Sequence, residues 1–400
     1  MPIQRTVLPT TDVPWHVSFA GLIGMLAGVG AALILRDQPT LALIVLITLT
    51  AAPMWWIEAR RHKSATETSA ISTATRSRRT WRLYGLAVGA MIWVTTLHLL
   101  PLAHGPVIYG FFQVLEVCWP LLLAGLVVSV LRSTHCAPHG LELVGRWIQL
   151  RPVDERFPWH ALRDQLVKAF FFPLMLGFAY DWATDARPWG SLQAPRWYFI
   201  SMAALYLIDT VFATVGYLST SRRLGAEIRS SNPYWLGWAA ALICYPPFFT
   251  WLQQSGFNYR DGHIWSDWLT TDTPLYYAWG SSILILSAIY ALSTVVFGIR
   301  FSNLTHRGII THGPYRLTKH PAYISKNLSW WLISIPFVSN TGVATALMHC
   351  GILLCINGIY WMRAKTEERH LMADPKYRDY ATWIAEHGAW AQLTRKLVRQ

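Results

Sequence analysis

The chain has 400 residues, 53% of them hydrophobic and 14% charged, and carries a formal net charge of +13. Soluble domains run at about 25% charged residues, so the composition points to an integral membrane protein rather than a large soluble core. The basic balance fits the Lys and Arg that collect in cytoplasmic loops. No zinc-ligand spacing, RNA-binding signature or aromatic-interleaved basic helix is present, so no nucleic acid partner is expected.

A spanning helix needs about 20 apolar residues, because the hydrocarbon leaves no water for backbone groups. Ten stretches are candidates: 15–36, 39–57, 83–104, 106–131, 167–182, 197–219, 234–252, 275–299, 322–338 and 342–362. The first has one preceding Arg (Arg5) and no small-x-small cleavage site, so it reads as a span rather than a leader. The fifth is short and interrupted by Pro173. The expected fold is an all-α polytopic helical bundle with both termini in the cytoplasm.

Charge placement supports that topology. With the N-terminus inside, the outward segments hold only Arg36, Arg187, Arg196 and Arg260 of the 34 Lys and Arg. The remainder fall inward, as the positive-inside rule requires. The Ser/Thr-rich basic loop 58–82 reads as a surface linker touching anionic lipid, and 142–150 as an interfacial helix. Most of the five Cys lie in apolar runs. The group His135, Cys136 and His139 lacks a second cluster, so no metal is expected.

The densest polar chemistry is "HGPYRLTKHPAY", His312 to Tyr323, between the eighth and ninth spans. Gly308 and Gly313-Pro314 bend the chain there. Pro321 suits the first turn of a helix, whose free N–H groups favour an anion or carboxylate. Arg316 and Lys319 add positive charge; Tyr315 and Tyr323 add flat hydrogen-bonding surface. Beyond the tenth span comes "RAKTEERHLMADPKYRDY", Arg363 to Tyr380, on the same membrane side. Arg363 and Glu367 can pair at i, i+4, whereas Glu368 points about 100° away and is free for hydroxyls or an ammonium. Asp374-Pro375 ends the helix, with Tyr377 and Tyr380 beyond.

These two segments resemble the membrane methyltransferases of the isoprenylcysteine carboxyl methyltransferase and phospholipid N-methyltransferase group. The pattern is matched by Gly313, Tyr315, Arg316, His320, Pro321 and Tyr323, then a helical hairpin, then Glu367, Glu368, Tyr377 and Tyr380. The resemblance covers about 285–383. It implies an S-adenosylmethionine site at the cytoplasmic membrane face, with a lipophilic acceptor arriving from the bilayer. The expected cofactor-holding set is Tyr315, Lys319, His320, Pro321, Tyr323, Glu368 and Tyr377; Arg316, Glu367 and Lys326 are expected at the reacting end. Three features depart from the pattern: Lys319 replaces a usual Arg, Ser325-Lys326-Asn327 replaces a small or apolar run, and Asp374-Pro375-Lys376 replaces Phe-Gly. The C-terminal region 275–400 would carry the chemistry, and 1–274 would form a further membrane bundle.

His98, Glu116, Asp209 and Lys326 are ionisable groups inside spans, where each charge costs about 2.5–3.5 kcal/mol and calls for a partner or a cavity. Two other classes fit the sequence less well. One is a nicotinamide-dependent reductase of the sterol type. The other is a transporter or scaffold, although transporter sites lie near the midplane and this polar cluster does not.

Overall fold

The computed structural model describes residues 7–63, 75–104, 108–131, 140–149, 158–184, 196–260 and 262–398. The His135, Cys136 and His139 group, Arg187, and residues 64–74 of the Ser/Thr-rich linker lie outside the described residues.

Among the described residues six helices are long and apolar enough to cross a membrane: α1 (Trp15–Ile34), α2 (Pro39–Arg61), α6 (Trp159–Thr184), α7 (Arg196–Leu218), α11 (Pro274–Val295) and α13 (Val343–Leu371). Between them lie α3 (Thr75–His104), α4 (Tyr109–Leu131), α5 (Gly140–Ile148), α8 (Trp235–Leu242), α9 (Phe248–Gln254), α10 (Trp265–Trp268) and α12 (Pro321–Ser334), with α14 (Pro375–His387) and α15 (Ala389–Val398) closing the chain. The protein is thus an α-helical polytopic membrane protein. Six of the ten expected spans correspond to these long helices, and α5 is a helix over most of 142–150.

Two expected spans differ from a continuous helix. The stretch 234–252 is divided into α8 and α9 around Tyr245-Pro246-Pro247. Two consecutive prolines lack the N–H groups that would continue the ladder. The stretch 322–338 holds only the 14 residues of α12, which stops at Ile335 in a left-handed conformation (φ 42°) before Pro336. At 1.5 Å per residue α12 is about 21 Å long, less than the hydrocarbon thickness. By contrast, the 29 residues of α13 reach about 43 Å. The helix is thus long enough to cross the hydrocarbon with its last turns, which carry Arg363, Glu367 and Glu368, to spare.

Close helix packing begins at the N-terminus. A Cβ at Gly24 would stand 2.1 Å from the Leu49 carbonyl oxygen, so only glycine lets α1 and α2 approach this far. On the outer surface Phe19, Ile23, Leu26 and Leu33 of α1 are exposed, as lipid-facing residues should be. Asp209 on α7 is buried, but His98 and Glu116 lie on exposed faces of α3 and α4. Enclosure of the intramembrane ionisable groups therefore holds for Asp209 and not for those two.

The loops at the polar end are tied together by three devices. A short antiparallel pair joins β1 (Ser230–Ser231) to β2 (Thr305–His306). Buried Arg307 donates to the carbonyl oxygens of Ala226 (2.7 Å), Gly216 (2.7 Å), Phe301 (2.9 Å) and Ile299 (3.1 Å). Asp12, just before α1, donates its N–H to the Ile309 carbonyl (2.9 Å) and accepts from the Ile309 N–H (2.6 Å) and Lys376 Nζ (2.8 Å).

Candidate functional site

The two polar segments line one cavity of about 1210 Å³, counting its open mouth, together with α11 and the loop that follows it. Gly313 adopts φ 58°, a left-handed conformation that glycine takes without steric cost, and opens the 3-10 turn Gly313–Arg316. The chain then enters α12 at Pro321. His320 is the N-cap residue and makes no side-chain cap bond. Its ring is therefore available to the neighbouring helix rather than to its own.

That neighbour is α13. His320 Nε2 and Glu368 Oε1 are 3.0 Å apart, and Lys319 Nζ reaches the same oxygen at 2.9 Å. Lys365 stands 3.4 Å from the other oxygen. One carboxylate is thus gripped by two side chains from the start of α12. The His320 ring also stacks on Tyr323 at a centroid distance of 5.5 Å and an interplanar angle of 7°.

One helical step earlier, Glu367 accepts a hydrogen bond from the Tyr323 hydroxyl and pairs with Arg363 Nε at 3.4 Å. The Arg363 guanidinium is buried, with the rings of Tyr323 (5.1 Å) and Tyr245 (5.6 Å) against it. It donates to Asn303 Oδ1 at 2.6 Å. Asn303 donates in turn to the Tyr217 hydroxyl, from its backbone N–H at 2.9 Å and its amide at 3.1 Å. The break between α8 and α9 is what brings Tyr245 to this wall.

α14 closes another side. The Tyr380 hydroxyl donates to the Tyr315 carbonyl at 2.7 Å, which pins α14 to the 3-10 turn. Tyr377 and Tyr380 are buried and line the cavity. Asp374 caps α14 through the Lys376 N–H and lies 2.7 Å from His306 Nε2. His370 Nε2 shares a 2.9 Å hydrogen bond with Ser230 Oγ. Burial, which outweighs the Asp374 carboxylate, holds His306 below its ordinary value. Burial raises the Asp374 pKa, but the hydrogen bond from His306 and the Lys376 N–H bring it below the usual carboxylate value.

The other end of the cavity is aromatic. Lys326 Nζ lies 5.1 Å from the Tyr290 ring, 5.3 Å from Trp330 and 5.7 Å from Tyr360. Asp209 accepts from the Tyr290 hydroxyl at 2.9 Å and Thr294 Oγ1 at 2.5 Å. Tyr290, Thr294, Lys326 and Tyr360 all line the cavity. Together these residues give the cavity a polar side, with the Glu367 carboxylate and the His306, His320 and His370 imidazoles, and an aromatic side that holds the Lys326 ammonium.

Tyr315, Lys319, His320, Tyr323, Lys326, Glu367 and Tyr377 are brought together on the cavity wall. Glu368 stands behind His320 and Lys319 and is bound by both. Pro321 is buried at the start of α12, where it shapes the turn. Arg316 is exposed and lies off the lining. Sequence reasoning assigned no role to Asn303, His306, Arg307, His370, Tyr245, Tyr290 or Tyr360. The only signal for the first three was the polar content of "RFSNLTHRG", and for Tyr245 its place beside Pro246-Pro247.

Residues 297–384 match a family described as "Protein of unknown function (DUF1295)". This is a family of uncharacterised membrane proteins with steroid 5-alpha-reductase-like character, and the match carries no methyltransferase assignment. The matched stretch spans the 3-10 turn, α12, α13 and most of α14. No curated protein and no solved structure matches the chain.

Proposed function

We propose that the cavity holds S-adenosylmethionine and that the protein methylates a lipophilic acceptor drawn from the bilayer. The observation that carries this reading is His320, held by Glu368 at 3.0 Å, on a wall shared with Tyr315, Tyr323 and Tyr377. The residues fit an adenosyl sulfonium. The Glu367 carboxylate, on the lining, supplies an acceptor for ribose hydroxyls or an ammonium, while Glu368, off the lining, holds His320 and Lys319 in place. The tyrosine rings offer π faces to a cation. The N–H groups at the start of α12, which no side chain caps, suit a carboxylate.

When bound, that cofactor supplies a methyl carbon already activated by sulfur, whose C–S bond breaks toward sulfur as the acceptor's lone pair bonds the carbon. The protein's part is alignment and a dry, polarised site. Lys319 and His320 hold Glu368 in place. Arg363, fixed by Asn303, orients Glu367, and Tyr323 braces the same carboxylate. The exposed Ile324 and Leu328 on α12 leave an apolar approach for an acceptor from the lipid side. Lys326 would meet its polar head.

A second reading, nicotinamide-dependent reduction of a lipophilic substrate, is favoured by the steroid-reductase-like character of the matched family. Against it, Arg300, Arg307 and Arg363 on the lining are each committed to carbonyl or carboxylate partners. Of these forks only the buried Arg300 Nε–H lacks a partner, so none is left whole for bidentate binding of a phosphate. Melting curves of the purified protein with S-adenosylhomocysteine and, separately, with NADPH distinguish the two. A rise with S-adenosylhomocysteine that vanishes in His320→Ala and Glu368→Ala supports methyl transfer. A rise with NADPH alone supports reduction instead, and no rise with either contradicts both.

A further inference from the structure

The last described helix is left uncovered by the other described residues. α15, "AWAQLTRKLV", has no buried residue. Trp390, Leu393 and Leu397 fall at i, i+3 and i+7, which places them on one helix face. They are 77%, 49% and 64% exposed. The helix carries Arg395 and Lys396 and no acidic residue. A soluble surface with such a stripe would be an aggregation hazard, yet this helix is not a loose tail. The Ala389 N–H donates to the Leu317 carbonyl at 2.8 Å, and a Cβ at Gly388 would stand 3.0 Å from that same oxygen. Arg395 donates to the Glu386 carbonyl and fastens the helix to α14.

The position of the Leu317 carbonyl decides the depth. Leu317 is one turn before Pro321, where α12 starts from the polar cluster toward the membrane. Pinning the N-terminus of α15 to that carbonyl fixes the helix at the level where the chain passes from polar end to bilayer. An amphipathic helix held at that level, with aromatic and leucine side chains on one face and basic residues beside them, has the composition of an interfacial helix.

The geometry points to α15 lying in the headgroup region of the leaflet on the cavity's side, with Trp390, Leu393 and Leu397 in the acyl boundary and Arg395 and Lys396 against anionic headgroups. The occupant of the exposed face is anionic lipid. The apolar stripe supplies burial, and the basic residues make the docking depend on lipid charge. This inference does not rest on the cavity's chemistry.

Hydrogen–deuterium exchange of the full chain tests it, in nanodiscs of phosphatidylcholine alone and of phosphatidylcholine with phosphatidylserine. A basic residue near an anionic leaflet is worth about fivefold in partitioning. Amides of 391–398 are expected to exchange at least about fivefold more slowly in the phosphatidylserine discs, and high salt or Lys396→Gln should reduce that difference. Leu393→Asn should raise exchange of α15 in both discs while α14 keeps its protection, which also shows that the variant is folded. Equal exchange in the two discs overturns the proposal. So does protection that rises with the number of protein copies per disc, since a second copy would then be the cover.

Discussion

Asp12 and Lys376 are 364 positions apart in sequence, and the Lys376 ammonium donates to the Asp12 carboxylate at 2.8 Å. The same carboxylate accepts the Ile309 N–H and faces Arg229 at 3.4 Å. Its backbone carbonyl accepts from Arg300 at 2.5 Å. The segment before α1 thus holds together the loop after α11 and the first turn of α14, both of which contribute to the cavity wall. Residues far outside the polar segments therefore help fix the cavity's shape.

Replacing that carboxylate should be felt across the polar end. Asp12→Ala leaves the Lys376 ammonium and the Ile309 N–H without their partner. Each such loss in a partly buried place costs about 1–3 kcal/mol. A clearly lowered melting temperature in detergent is expected, with Lys376→Met showing part of the same loss. Additive effects in the double variant would contradict the shared bond.

Acid should weaken the same junction. Burial tends to raise the Asp12 pKa, but the Lys376 hydrogen bond, the Ile309 N–H and Arg229 bring it below its ordinary value of 3.8. A carboxyl depressed in the folded state gives stability that is fully present above the unfolded value and lost as pH falls through the folded one. Asp374, depressed by His306 and the Lys376 N–H against its burial, acts in the same direction. Melting temperature should therefore fall as pH drops below 3.8, and Asp12→Asn should flatten that slope.

Arg307 makes a sharper case because its side-chain hydrogen bonds all go to backbone carbonyls. Its guanidinium serves four backbone carbonyls. A lysine ammonium keeps the charge but cannot reproduce the planar fork. Arg307→Lys should cost about 2–5 kcal/mol, read as a large fall in melting temperature. A near-neutral effect would mean that those carbonyls find other donors.

The Asn303 link predicts a separation of binding from stability at the site. Asn303→Asp keeps an oxygen for Arg363 but loses the amide donor to the tyrosines, whereas Asn303→Leu removes both. S-adenosylhomocysteine affinity should fall further in Asn303→Leu, by about 10- to 100-fold for a hydrogen bond to a charged group lost behind Glu367. Equal affinities in the wild type and Asn303→Leu would remove Asn303 from the positioning of that carboxylate.

Helix existence was legible in the sequence because apolar length and charge asymmetry are one-dimensional signals. The i, i+4 pairing of Arg363 with Glu367 was legible for the same reason, as was the separate direction of Glu368, which indeed turns to His320 and Lys319. What the sequence concealed was continuity and partnership. Apolar content alone does not reveal that 234–252 stops at Pro246-Pro247, or that α12 ends at Ile335, since the residues beyond each stop remain apolar. Arg316, expected at the reacting end from the resemblance, is exposed after the 3-10 turn and lies off the cavity lining. Asn303, His306 and Asp12 act through partners tens or hundreds of positions away, and no local pattern encodes such distances.

Transfer of a radiolabelled methyl group from S-adenosylmethionine into an organic-extractable product, using membranes that contain the 400-residue chain, tests methyl transfer at this cavity. Label is expected in the extract with the wild type, with at least a tenfold loss in Glu368→Gln that still reaches wild-type levels in the membrane. No label above control membranes with the wild type, or equal label from Glu368→Gln, would contradict it.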